Sequence, residues 1–452
     1  MKDSRESITR LSAEFIEGLS YEGLDSGTVE FTKRCIIDWM GCVIGGSSTE
    51  QARIIHLFVK ELGGNPTSTM IGEFHKTSSL NAALVNGYNC HIYELDDVHK
   101  KSIIHPAAPV ISAAFSIAEA FNKDGKSLIT AIVAGYDIAT RIGEAVTPSH
   151  YKYWHSTGTC GTFGAAAASA KLLGLKKEQV LHSLGNAGSQ AAGLWEFLRD
   201  NAMTKYLHCG KAAMNGIISS LLAQKGFTGA TRILEGDKGF IKAYSDERDF
   251  ESSFTDMGKH FKINETVFKP YASCRHTHPS VDCALELKKQ NNIHLGDIEE
   301  ITVETYDTAL KIAGNKEFTD ARTAKFSLIY CVAAALKFGK LGLREFEDNR
   351  LKNPDINKLT KKIRVRASEE ITNQYPDKWM ARMIIKTKKG EFKATVDYPK
   401  GDPENTLTTK EIEDKFMELA ALKIPCEKAE IILNRCRNIE DYENLSTFFD
   451  GI

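Results

Sequence analysis

Several things are scarce in this sequence, and each scarcity narrows what the protein can be. Its ten cysteines never pair as C-x-x-C, which weighs against an iron–sulfur cluster and points to free thiols in a reduced cytoplasm. No stretch approaches the roughly 18 unbroken apolar residues of a membrane span. Charge of one sign is missing as well: 58 basic residues meet 59 acidic ones, a net charge of −1. Neither nucleic acid nor a membrane surface is therefore expected as a partner. Low-complexity tracts and 20–50-residue repeats are absent. The opening residues, MKDSRESITRLSAEFIEGLS, are charged and then amphipathic, unlike a secretory signal. What remains is a globular composition, 42% hydrophobic and 26% charged over 452 residues, with a prior of two or three domains.

Up to about residue 267 the periodicity is helical. SAEFIEGLSYEGL and TVEFTKRCIIDWMGCVIGG place apolar residues at 3.6 spacing, the second running into Gly45-Gly46 as a stop. SSLNAALVNGYNCHIYEL reads as a helix capped by Ser78 or Ser79, and PAAPVISAAFSIAEAF as one opened by prolines. KSLITAIVAGYDIATRIGEAV and GTFGAAAASAKLLGL are rich in Ala and Gly, which lets helix axes approach closely. Strand-like alternation then appears in IEEITVETY and KKIRVRAS, and RMIIKTKKGEFKATVDYP reads as a hairpin turning at Lys389-Gly390. Helical spacing returns in TKEIEDKFMELAALK, capped by Thr408 or Thr409. The expected fold is mainly α with a smaller α+β domain. Residues 1–267, completed by 405–452, form the helical part, and 268–404 the α+β part.

Four stretches carry chemistry. ELDDVHKKSIIHPAAPV sets Glu94, Asp96, Asp97, His99 and His105 between two helices, with His105 at a helix start. A helix N-terminus favours an anion and disfavours a charged imidazole, so His105 reads as a neutral donor or base. YWHSTGTCGTFG places His155 before a glycine-rich helix; its spacing is not that of a dinucleotide-binding loop. TKYLHCGKAA brings Lys205, His208 and Lys211 to another helix start, where a partly buried lysine can anchor a carboxylate. KPYASCRHTHPS gathers Cys274, Arg275, His276 and His278. His276 and His278 could hold zinc, and Cys274 could be a nucleophile, but spacing fixes no complete ligand set and no metal is assigned. Carboxylates, imidazoles and cations at helix starts suit proton transfer beside a substrate carboxylate. Dehydration, epimerisation and decarboxylation share that toolkit.

At these residues the chain resembles the MmgE/PrpD family. The matching blocks include NGYNCHIYELDDVH, HPAAPVISAA, HSTGTCGTFGAAAASAKLLGL, TKYLHCGKAAMNGI, KPYASCRHTHPSVDCALEL and GDPENTLT, spread over residues 80–415. The resemblance implies a large helical domain made from both chain ends, a smaller α+β lid, a homodimer, an interdomain active site and no required cofactor. Family members include 2-methylcitrate dehydratase, cis-aconitate decarboxylase and an iminodisuccinate epimerase. In the decarboxylase branch an Asp and a Thr flank the Asp-Asp pair; here those positions are Glu94 and Val98. Its active-site histidines and lysine match His105, His155, Lys205 and His278. The dehydratase branch places its corresponding histidine at His276 and has Gln where this chain has His278. The expected activity is that of a cytoplasmic, cofactor-independent lyase on a small di- or tricarboxylate, most simply a hydro-lyase of the 2-methylcitrate type. Decarboxylation, epimerisation and a non-catalytic carboxylate-binding scaffold are the alternatives. Asp96, Asp97, His105, His155 and Lys205 are the catalytic candidates. Glu94, His208, Arg275, His276 and His278 are the candidates for substrate binding.

Overall fold

The computed structural model describes residues 7–200, 202–291 and 293–452. Residues 1–6 of the charged N-terminal stretch, Asn201 and Asn292 lie outside the described residues. The chain is mainly helical and divides into two compact units. The first runs to Ile92 and resumes over Asp96–Thr266 and Thr408–Ile452; the second comprises Tyr93–Leu95 and Val267–Leu407.

Six helices of the first unit matter for its chemistry: α1 (Ser26–Gly46), α2 (Ser79–His91), α3 (Ala107–Ala120), α4 (Gly125–Val146), α5 (Ser156–Leu172) and α6 (Thr204–Gln224). A short antiparallel hairpin, β1 (Ser68–Met70) with β2 (His75–Thr77), leads into α2. Local chemistry sets the starts. The side chains of Asp25, Ser78 and Asp124 accept from the Thr28, Asn81 and Ser127 amides, satisfying donors the helix cannot. Helix α1 ends at Gly46, as its glycine pair suggested.

Small residues decide how the helices cross. A Cβ on Gly210 of α6 would stand 2.1 Å from the Leu84 carbonyl oxygen of α2, and one on Gly87 would stand 2.9 Å from the Gly210 Cα. The two backbones touch there, which seats the end of α2 against the first turns of α6. Gly164 of α5 meets Gly135 of α4 in the same way, with a Cβ 2.6 Å from the Gly135 oxygen. The helix Thr409–Ala420, begun by a reciprocal Thr408–Glu411 cap, packs Phe416 and Leu419 against Gly41 and Gly45 of α1.

The second unit holds a four-stranded sheet in the order β4-β3-β5-β6, where β3 is Ile298–Thr305, β4 Ile363–Ala367, β5 Ala381–Thr387 and β6 Gly390–Val396. β3 runs parallel to β4 and antiparallel to β5, and β5–β6 is the hairpin. Ile301, Val303 and Thr305 of β3 are buried and their neighbours are not, the period-2 signal of a sheet covered on one face. The longest helices of the unit are α7 (His278–Gln290), with Pro279 in its first turn, and α8 (Leu328–Phe338).

Candidate active site

Four imidazoles meet at the junctions of the first-unit helices. His91 is the last residue of α2, His105 stands two residues before α3, His155 is the N-cap of α5, and His208 lies in the second turn of α6. The His91 ring centre is 4.7 Å from that of His105 and 5.7 Å from that of His155; His155 is 5.5 Å from His208. Lys205 opens α6 beside them and is 9% exposed.

The two neighbouring aspartates do different work. Asp97 is fully buried. One of its carboxylate oxygens accepts the Ala107 amide at 3.0 Å, capping α3, and the other accepts the Tyr136 hydroxyl at 2.7 Å. Burial raises its pKa well above the ordinary carboxylate value, and Asp38 and Asp96 push the same way. Asp96 instead faces the imidazoles: its Oδ2 is 2.7 Å from His91 Nδ1 and 3.7 Å from His105 Nδ1.

Hydrogen bonding fixes the tautomer of His105. Its Nδ1 lies 2.7 Å from the Asp97 backbone carbonyl, which can only accept, so Nδ1 carries the proton. Nε2 is then the basic nitrogen. The backbone N–H of His105 donates to Thr157 Oγ1 of α5, tying this loop to the helix capped by His155. His155 is held neutral: burial, then the charge of Lys205, lowers its pKa well below 6.5. The His155 ring packs against Trp195, centres 4.9 Å apart. Two buried polar atoms there, Trp195 Nε1 and Ser156 Oγ, have no hydrogen-bond partner among the described residues.

Behind the imidazoles lies a further charged pair. Lys415, from the helix Thr409–Ala420, donates to Asp38 of α1 at 2.6 Å. Burial alone would discharge Lys415, but Asp38 and its acidic neighbours outweigh it and hold the ammonium.

Among the described residues, two groups offer three ligand atoms within 4.8 Å of one another: His91, Asp96 and His105, and His99, Glu144 and Glu265. A cation in the first would have to displace the His91–Asp96 hydrogen bond. The second already holds the Lys262 ammonium, 3.1 Å from Glu144 and 3.2 Å from Glu265. One donor set is thus spent on a hydrogen bond and the other on an ammonium, and no metal is assigned.

The second unit carries its own cluster. Arg275 is buried and committed: it bonds to Asp402, to the Lys400 carbonyl at 3.0 Å, and to His278 Nδ1 at 2.7 Å. A guanidinium only donates, so His278 accepts at Nδ1 and keeps its proton on Nε2, which faces the Ser273 carbonyl at 3.2 Å. His276 stacks flat on Trp379, centres 4.5 Å apart, with Nδ1 2.8 Å from the Tyr306 hydroxyl; burial and then Arg275 lower its pKa to about 3. Cys274 is a buried thiol of the same stretch. Glu94 also belongs to this unit, buried, with φ +59, a left-handed backbone unusual for a side-chain-bearing residue.

The MmgE/PrpD N-terminal domain matches residues 10–253, and the MmgE/PrpD C-terminal domain matches residues 271–440. The chain belongs to the MmgE/PrpD family. Its curated relatives include the cis-aconitate decarboxylase-like protein oryM of Aspergillus oryzae, 26% identical over 97% of this chain and 96% of that protein. Human cis-aconitate decarboxylase is 25% identical over 97% of this chain and 93% of its own. The 2-methylcitrate dehydratase of Escherichia coli is 24% identical over 47% of this chain and 45% of its own. Of these MmgE/PrpD relatives, two are named for a decarboxylation and one for a dehydration, both lyase reactions.

His91, Tyr136 and Lys415 are among the participants not singled out from sequence. His91 lay inside an apolar helix; the one available signal was its place five residues before Asp96. Tyr136 and Lys415 sit in ordinary helical patterns, and only folding brings them to Asp97 and Asp38.

Proposed function

We propose that this protein is a cofactor-independent lyase acting on a small di- or tricarboxylate. The observation that carries the reading is the His105 tautomer. With Nδ1–H spent on the Asp97 carbonyl, Nε2 is a fixed base at the mouth of a helix start, and Asp96 stands by to stabilise the charge it acquires. His155, neutral, serves as the second proton-transfer group. Lys205 and the starts of α3, α5 and α6 favour an anion, while Ser156 and Trp195 offer buried donors to its oxygens. His208 supports His155. For Arg275 and His278 the mutual hydrogen bond favours a supporting role, fixing the loop of Lys400 and Asp402 in the second unit.

The reaction we favour is removal of water across a carbon–carbon bond, as for 2-methylcitrate. His105 Nε2 takes the proton from carbon beside a carboxylate, and His155 gives one to the departing hydroxyl. A second reading is decarboxylation of cis-aconitate, in which one of the histidines protonates the carbanion left by CO2. The cis-aconitate decarboxylase relatives align with nearly the whole chain, which favours it. Incubation with 2-methylcitrate, citrate, cis-aconitate and iminodisuccinate in D2O, followed by NMR, separates the cases. An alkene with loss of water supports the hydro-lyase, released CO2 the decarboxylase, and inversion with deuterium uptake an epimerase. Tight binding of an acid with none of these changes would sink the enzymatic reading and leave a carboxylate-binding scaffold.

A further inference from the structure

His155 and His208 face each other nitrogen to nitrogen, with their Nδ1 atoms 3.3 Å apart. Two lone pairs at that distance repel, and two N–H groups collide, so one of the two nitrogens carries a proton and the other does not. Both rings are held neutral. Burial leads in each case; Lys205 adds to it at His155, and Lys211 adds to it at His208, whose pKa falls to about 4. A neutral imidazole has one proton. The ring with the bare Nδ1 therefore holds its proton on Nε2, and its partner's Nε2 is bare. The outer nitrogens of the pair are of opposite kind.

The pair is built rather than incidental. A Cβ on Gly193 would stand 3.2 Å from His208 Nδ1, and one on Gly158 would stand 3.1 Å from His208 Cβ, so side chains there would crowd the ring. The Gly193 carbonyl also accepts the His155 backbone N–H at 2.9 Å. His208 is the less deeply buried residue of the two, at 8% exposed against 2% for His155, so its side is the nearer to water.

We propose that His155 and His208 form a two-ring proton relay, in which His208 resupplies His155 without either ring becoming charged. In one state His208 Nδ1–H donates to His155 Nδ1, and His155 Nε2–H is the acid. As His155 Nε2 gives its proton to the reacting molecule, the shared proton crosses from His208 Nδ1 to His155 Nδ1. In the same step His208 takes a proton from water at Nε2, so neither ring is left charged, and the hydroxide that remains is neutralised by the proton His105 took from carbon. One proton enters, one leaves, and both rings finish neutral with exchanged tautomers. The same passage in reverse, with His155 Nε2 taking a proton, restores the first state. His208 is thus a positioning residue that acts through His155, and its catalytic consequence rests on the acid/base role proposed for His155.

The pairing itself is tested without substrate. In 15N-edited NMR of the wild-type protein the two rings are expected in opposite tautomers, both neutral down to about pH 5. Matching tautomers, or either ring charged at neutral pH, would overturn the relay. With a turned-over acid in hand, His208→Asn is expected to leave KM close to wild type and lower kcat about a hundredfold. An unchanged kcat would also overturn it. If His208→Asn does not fold, wild-type rates in H2O–D2O mixtures decide: a curved dependence supports two protons in flight, a linear one does not. If no polyacid is turned over, the lyase proposal fails, while the tautomer measurement still decides the pair.

Discussion

The Asp97 backbone carbonyl accepts the Nδ1 proton of His105, and the carboxylate of the same Asp97 caps the helix that follows His105. One residue thereby sets both the tautomer and the position of the proposed base. Asp96, beside it in sequence, bears on the chemistry through its charge. Asp97 bears on it through geometry.

That division separates the two aspartates by experiment. Asp96→Asn is expected to lower kcat by about a hundredfold or more, because it removes the carboxylate facing His91 and His105, with little effect on Tm. Asp97→Asn is expected to stay within about 1 kcal/mol of wild-type stability, since burial already disfavours the charged carboxyl. Asp97→Ala should cost about 1–3 kcal/mol, because the Ala107 amide and the Tyr136 hydroxyl lose their acceptors. Thermal melts and steady-state kinetics on the three variants check this. A stable Asp97→Ala protein would refute the capping role.

The base itself is tested by His105→Ala, for which a loss of about 10²–10⁴ in kcat is expected. Lys205→Ala should act mainly on KM, as loss of a carboxylate anchor, and should ease the protonation of His155 that Lys205 opposes. Full turnover by both variants on the true substrate would remove these residues from the site.

Much of this arrangement is written locally, and that part was legible in the sequence. Ser78 and Thr408 announce helix starts because a cap involves residues three apart, and the Gly45-Gly46 pair marks the end of α1. The alternation of Ile301, Val303 and Thr305 marks a strand whatever it pairs with. His105, His155 and Lys205 stood out because each begins a helix. Other features depend on distant partners. Nothing near Arg275 points to Asp402, 127 residues on, and nothing in the Asp-Asp pair says which side chain turns to Ala107 and which to His91. His91 was hidden because an apolar helix makes its imidazole look like core.

Acid should destabilise the protein before its carboxylates titrate. His150 and His208 have pKa values lowered to about 4, and His276 to about 3, burial being the main cause in each. The unfolded chain binds these protons near 6.5, so stability is complete above that value and falls as pH drops toward 4. The slope is about 1.4 kcal/mol per pH unit for each histidine. Asp97 works in the opposite sense, because its raised pKa makes the folded state lose stability as pH rises through its titration. Between about pH 6.5 and 5 the histidine slope is partly offset by Asp97 and by Glu119, whose pKa burial raises to about 7. Urea midpoints at those two values should differ clearly, and His276→Phe should reduce the difference. A His276→Phe protein with the wild-type pH dependence would mean that this imidazole is not held neutral.

The crossing of α2 and α6 gives a test of packing at the site. In Gly210→Ala the new methyl would stand 2.1 Å from the Leu84 carbonyl oxygen and 3.1 Å from the Tyr88 amide nitrogen, both backbone atoms that cannot rotate away. The helices must separate, at an expected cost of about 1–3 kcal/mol. Separation also carries Lys205 and His208 away from His91, so activity should fall by more than the fraction of unfolded protein explains. Gly18→Ala is the control: nothing lies within 4 Å of its Cβ, and it closes the helix Ile8–Gly18 without a left-handed backbone. Its Tm should match or slightly exceed wild type. If Gly210→Ala melted with Gly18→Ala and kept full activity, the glycine contact would have no part in assembling the imidazole cluster.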